Sequence, residues 1–137
     1  IKKLNSIACK NESDVATLAS QINGKEKLNE ENIVKVQTKE DLKLKDFSYA
    51  IKFFRKSNNL NYNNVYHHIG IYQYRSSILK KFVKLAQTKN EIKYKLEQLR
   101  VLENEINIDV ILAKSAPIGI DTKKDYMEIK KFMEYKS

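Results

Sequence analysis

The chain is 137 residues long, 42% hydrophobic and 31% charged, with a formal net charge of +9 at neutral pH. That length buries one modest core, so the chain is read as a single domain or part of one. No apolar run approaches the roughly 18 residues that cross a bilayer and no signal-peptide pattern opens the chain, so a soluble, cytoplasmic protein is expected.

The positive balance raises a nucleic-acid or anionic-membrane partner, but its distribution argues otherwise. Only Arg55, Arg75 and Arg100 of the 26 basic residues are arginines, no run of five like charges occurs, and lysines are scattered among Asn and Ile. That pattern reads as a solvated surface rather than a binding patch. Cys9 is the single cysteine, which excludes an internal disulfide and fits a small, partly buried side chain.

In chain order, residues 1–10 read as a helix end with Ile1, Leu4 and Ala8 on one side. Residues 14–22, around VATLA, read as a buried strand, and residues 24–31 as a charged connection. The β-branched content of residues 32–38 favours a second strand. Residues 47–55 alternate, with Phe47, Tyr49, Ile51 and Phe53 on one face and Ser48, Ala50, Lys52 and Phe54 on the other. The Asn-rich residues 57–64 form a loop. A strand over 65–74 is followed by helices over 76–85 and 91–105, the second carrying Ile92, Leu96, Leu99 and Ile106 along one stripe. Residues 108–113 are the last strand. Thr122 and Asp125 have capping-box spacing and start a helix through Tyr126, Ile129 and Met133. Strands mixed with helices indicate an α/β layer structure.

Four places carry groups suited to chemistry. Period-two geometry puts His68, Gly70 and Tyr72 on one face of their strand and His67 on the other, where no role is assigned to it. A glycine inside a strand costs roughly 0.5–1 kcal/mol relative to alanine and commonly marks close approach of a ligand or backbone. The alternative is a hydrogen-bonded core histidine under a helix. In KLEQLRVLE the leucines face the core, leaving Glu97 and Gln98 to one side. A carboxylate that accepts and a carboxamide that does both suit a polyhydroxylated sugar, although on helical periodicity alone a solvated helix face with a Glu97–Arg100 pair is the better reading. Asp121 follows Gly119 and precedes a helix; one hard carboxylate holds Mg²⁺ when a nucleotide brings the remaining oxygens, and the alternative is a turn with an N-cap. Arg55 ends a strand, either as a bidentate carboxylate binder or as a surface residue.

Three blocks stand in order: HHIGIYQYR (His67 to Arg75), KLEQLRVLE (Lys95 to Glu103) and IGIDTKKD (Ile118 to Asp125). Together they resemble the CMP-KDO synthetases (3-deoxy-manno-octulosonate cytidylyltransferases), whose second half carries H-x-G-I-Y-x-Y-R, L-E-Q-L-R and G-[VI]-D-T-P-x-D. The likeness extends upstream through DVATLA, NIVKV and AIKFFR, and departs from the pattern at Tyr94, at QTKN before the second block and at Lys123.

The resemblance implies the C-terminal part of a three-layer nucleotide-diphospho-sugar transferase (Rossmann-like) fold. The first-half CTP-binding segment is absent from the sequence, so residues 1–137 are expected to be a truncated or split piece, inactive alone, with an unpaired strand edge and poor solubility. It further implies transfer of CMP from CTP to KDO with release of pyrophosphate in lipopolysaccharide biosynthesis. His68, Tyr72, Glu97, Gln98 and Arg55 would bind the sugar, and Asp121 would bind Mg²⁺. A homodimer or a complementing first-half polypeptide is the expected partner, with no nucleic acid. The competing reading is a non-catalytic basic binding module or a decayed remnant.

Overall fold

The computed structural model describes residues 1–57, 62–114, 120 and 122–136. Strand β1 (Val15–Ser20) is the hub, pairing antiparallel with β4 (Val65–Tyr74) and parallel with β5 (Ile108–Leu112). All six of its residues are buried. A strand covered on both faces needs apolar or small residues at every position, which is why VATLA does not alternate. Val15 and Ala19 point into one core with Val36, Phe53, Tyr66, Ile108 and Val110. Ala16 and Leu18 point the other way, against Leu4 and Ala8 of helix α1 (Lys2–Lys10) together with Ile69 and Ile111. Leu4 and Ala8 are one helical turn apart and form the inner stripe of α1. Ile1, expected beside them, precedes the helix and is exposed.

Strands β2 (Lys35–Thr38) and β3 (Ser48–Phe54) complete a closed barrel in the order β1-β4-β2-β3-β5. Closure depends on a short antiparallel contact in which Ser48 and Tyr49 face Val110 and Asp109. Each of the five strands therefore has a neighbour on both sides, and the unpaired edge expected of a partial fold is not found among them. Strand β3 also departs from simple alternation. Gln37 pairs with Lys52 and Thr38 with Ala50, so Ile51 is an extra residue on β3. This bulge resets the phase: Ser48 and Phe53 are buried, while Tyr49 and Ile51, expected on the same face as Phe53, are exposed.

A short helix, α2 (Lys25–Leu28), interrupts the charged connection, and α3 (Ser76–Phe82) follows β4. The single helix expected over 91–105 is two helices, α4 (Lys89–Tyr94) and α5 (Gln98–Glu103). Thr88 and Glu91 close a capping box at the start of α4, and Lys95 ends it in the left-handed conformation at φ 54°, ψ 48°. The break turns Leu96 into the core and leaves Ile92 outside, so the expected stripe is interrupted. Helix α6 (Lys123–Lys136) begins as its spacing predicts: the Asp125 amide donates to Thr122 Oγ1 at 3.2 Å, and the Thr122 amide donates to Asp125 Oδ2 at 2.9 Å.

Candidate functional site

The first group of candidate residues is arranged by an irregularity in β4. Thr17 of β1 lies opposite Tyr72 and Leu18 lies opposite Ile69, so Gly70 and Ile71 have no counterpart on β1. An insertion of two residues preserves parity, which keeps His68 and Tyr72 on one face. Their ring centroids are 5.4 Å apart, and Phe53 meets His68 edge-on at 4.9 Å. The close approach that Gly70 implied is not found among the described residues: a Cβ there would meet no atom within 4 Å. Gly70 instead sits in the exposed arc of the bulge.

His68 is only 7% exposed. Its Nε2 lies 2.9 Å from Thr17 Oγ1, which is also 2.8 Å from the Ile71 carbonyl oxygen and 3.2 Å from that of Ile69. Burial, assisted by neighbouring His67, pulls the His68 pKa down to about 4, so the ring is neutral at pH 7. Burial also pushes the Tyr72 phenol well above its ordinary value, with Tyr74 and then Glu97 adding to the effect. Glu97 is thus near enough to Tyr72 for its charge to disfavour the phenolate.

Glu97 is the exposed residue that leads into α5, and Gln98 is its first residue, 8% exposed. No hydrogen bond joins the Tyr72 hydroxyl or the Gln98 carboxamide to another described residue. Arg100 does not pair with Glu97. It donates to Glu91 through Nε at 2.9 Å and Nη2 at 2.5 Å, and its guanidinium lies over the Phe82 ring at 4.7 Å. The Lys95 break explains this choice, because it folds the start of α4 back toward α5 and brings Glu91 within reach of Arg100. Glu97 is left without a cation partner within salt-bridge distance among the described residues.

Arg55 lies at the end of another strand. Its Nη1 donates to the Glu31 carbonyl at 3.2 Å just past the end of β3, and β2 separates β3 from β4. Nearby is a residue that sequence reasoning missed. Lys35 is wholly buried and its Nζ donates to the Glu30 carbonyl at 2.5 Å and to the Arg55 carbonyl. Burial lowers its pKa. The signal was present in the chain, since Lys35 stands between two valines in a segment read as a strand.

His67, to which the sequence assigns no role, lines a cavity of about 440 Å³ beyond the carboxyl ends of β1 and β5, together with Ser20, Gln21, Asn23, Lys27 and Lys114. Burial first, then Lys27 and Lys35, hold its pKa below the usual histidine value. Asp121 lies outside the described residues. Among the described residues there is no group of three or more His, Cys, Asp or Glu side chains able to hold a metal. No helix among them is long and apolar enough to cross a membrane.

The family model for cytidylyltransferases matches residues 1–108. The chain belongs to the cytidylyltransferase family. It is 37% identical over 123 residues to the 3-deoxy-manno-octulosonate cytidylyltransferase of Bartonella tribocorum, a match covering 88% of this chain and 49% of that protein. The protein of the same name from Brucella ovis is 40% identical over 113 residues, covering 82% of this chain and 45% of its own length. The chain thus spans about half the length of the curated relatives it matches. The solved structure of CMP:2-keto-3-deoxy-manno-octonic acid synthetase complexed with CTP superposes with a TM-score of 0.77 at 26% identity. That match covers 99% of this chain and 55% of the other. The mixed α/β cytidylyltransferase architecture is therefore that of a nucleotide-sugar transferase. The family match contains His68, Tyr72, Glu97 and Gln98 and ends before Asp121.

Proposed function

We propose that this chain supplies the sugar-binding side of a cytidylyltransferase that joins CTP to 3-deoxy-manno-octulosonate for lipopolysaccharide assembly. In that reaction the anomeric hydroxyl of the sugar attacks the α-phosphate of CTP. A new oxygen–phosphorus bond forms, the bond to the β-phosphate breaks, pyrophosphate leaves and the hydroxyl proton is released to solvent.

The observation that carries this reading is the Tyr72 hydroxyl with the Glu97 carboxylate near it, the Gln98 carboxamide following Glu97 in sequence. No hydrogen bond joins the Tyr72 hydroxyl or the Gln98 carboxamide to another described residue, and the Glu97 carboxylate is close enough to raise the Tyr72 pKa. A polyol needs several donors and acceptors held against an apolar wall, and here Phe53, His68 and Tyr74 supply the wall. Catalysis in this scheme is positioning: the sugar is held so that its nucleophilic oxygen meets a phosphate bound elsewhere. Arg55 enters this scheme only as a carboxylate contact at the margin, two strands from His68.

Mg²⁺, when bound, supplies charge neutralisation on the phosphates, and Asp121 is the residue proposed to hold it. The described residues offer no cluster of three or more candidate ligands to complete such a site. The remaining ligands would be phosphate oxygens and water. A complementing polypeptide is proposed to bring the CTP site.

The test is pyrophosphate release from CTP, the sugar and Mg²⁺ by this chain, alone and mixed with a first-half polypeptide. Activity confined to the mixture and lost in Asp121→Ala supports the proposal. Silence in a mixture whose partner is shown to be folded and bound sinks it.

A further inference from the structure

We propose that Thr17 is the positioning residue for His68: its hydroxyl holds the imidazole as the Nε2–H tautomer, leaving Nδ1 as the acceptor for a sugar hydroxyl. The second half of this statement rests on the sugar-binding reading of the site; the first does not.

Hydrogen counting at one buried oxygen carries the argument. Thr17 is fully buried at the centre of β1, and its Oγ1 faces three groups: His68 Nε2 at 2.9 Å, the Ile71 carbonyl at 2.8 Å and the Ile69 carbonyl at 3.2 Å. The hydroxyl has one proton. Carbonyl oxygens only accept, so if that proton pointed at His68, two carbonyl oxygens would face a bare hydroxyl lone pair inside the protein. Sending the proton to a carbonyl satisfies the backbone. The imidazole nitrogen is the one neighbour able to reverse its role, and it then donates from Nε2 to Oγ1. A neutral imidazole protonated at Nε2 carries its lone pair on Nδ1.

The bulge makes this arrangement local. Gly70 and Ile71 have no counterpart on β1, so carbonyls that would otherwise belong to a regular ladder converge on the Thr17 side chain. The same residue lies directly opposite Tyr72, the second candidate sugar contact. One hydroxyl therefore fastens the bulge, the tautomer of His68 and the strand position of Tyr72. The apolar ring contacts of His68 with Phe53 and Tyr72 hold its plane without competing for a proton. A ligand hydroxyl that donates to Nδ1 meets an acceptor already formed, which removes the cost of selecting the tautomer during binding.

Long-range proton–nitrogen correlation on the ¹⁵N-labelled chain at neutral pH reads the tautomer directly, without activity and without sugar. The expected result is a single Nε2–H form for His68 in the wild type and in Thr17→Ser, which keeps the hydroxyl. Thr17→Val, which keeps the shape and loses the hydroxyl, should show a mixture or the Nδ1–H form. Backbone amide spectra establish that each variant is folded. Titration with 3-deoxy-manno-octulosonate should show affinity reduced about tenfold in Thr17→Val and within about twofold of wild type in Thr17→Ser. An Nδ1–H form in the wild type, or an unchanged tautomer in Thr17→Val, overturns the proposal. A correct tautomer in a wild-type chain that binds no sugar overturns the sugar reading and the acceptor role of Nδ1, while the Thr17–His68 lock stands.

Discussion

Two adjacent histidines on β4 have opposite fates. His68 turns inward, is almost wholly buried and meets Thr17, Phe53 and Tyr72. His67 turns outward onto a polar cavity with Lys27 and Lys114. Both have pKa values lowered first by burial; the charge that adds to it differs, His67 acting on His68 and Lys27 and Lys35 acting on His67. Strand geometry alone accomplishes this, because successive side chains point to opposite faces. The same contrast recurs between two carboxylates on either side of the Lys95 break. Glu91 is engaged by Arg100 in a buried bidentate pair, while Glu97 is exposed and unpaired within the described residues. Engaged groups build the fold, and unengaged groups beside them remain for a ligand.

The contrast is sharpest where an engaged partner is removed. Arg100→Met leaves Glu91 buried without its cation and should cost about 3 kcal/mol in urea unfolding, with part of the loss recovered in the double variant Arg100→Met/Glu91→Gln. Glu97→Gln should leave stability within about 0.5 kcal/mol. A loss below about 1 kcal/mol for Arg100→Met would place the two carboxylates in one class and break the comparison.

The histidines separate by pH. His68 is held near 4 in the folded chain against an ordinary value of 6.5, so the unfolded chain takes up a proton that the folded chain refuses. The stability contributed by the neutral ring is whole above pH 6.5 and is lost as pH falls toward 4, by about 3 kcal/mol in total. Subtracting the stability profile of His68→Gln from that of wild type should isolate this loss, whereas His67→Gln should retain most of it. Equal slopes for wild type and His68→Gln would remove burial as the cause.

Smaller effects probe the unengaged groups. Tyr72→Phe and Gln98→Ala should each change stability by less than about 1 kcal/mol, since neither loses a hydrogen bond within the described residues, yet each should weaken sugar binding about tenfold by titration calorimetry. Smallest of all, His67→Gln should shift stability by less than about 0.5 kcal/mol and leave sugar affinity unchanged. Sugar affinity that falls more in His67→Gln than in Gln98→Ala would transfer the binding site to the other face of β4.

Much of the architecture was legible in the chain. The bounds of β4 coincide with the run from Val65 to Tyr74, and the capping box at Thr122 forms as its spacing requires. Errors arose where one residue interrupts a period. Ile51 is extra on β3, and Lys95 adopts a left-handed conformation that no helix propensity announces. Either event rotates every residue beyond it. The closed barrel was also hidden, because the contact joining β3 to β5 spans about 60 residues of sequence and only two residue pairs.

The sequence by itself determined the strands and helices that periodicity can reveal, the family blocks and the residue types suited to a sugar. Local backbone geometry and side-chain patterning decide those features, and both are written within a few residues of each other. Only the tertiary structure decided that Arg100 belongs to Glu91, that Arg55 donates to the Glu31 carbonyl, and that Thr17 is the oxygen against which His68 is set. Those assignments depend on which distant segments meet when the barrel closes, and on which polar groups burial then compels to find a partner.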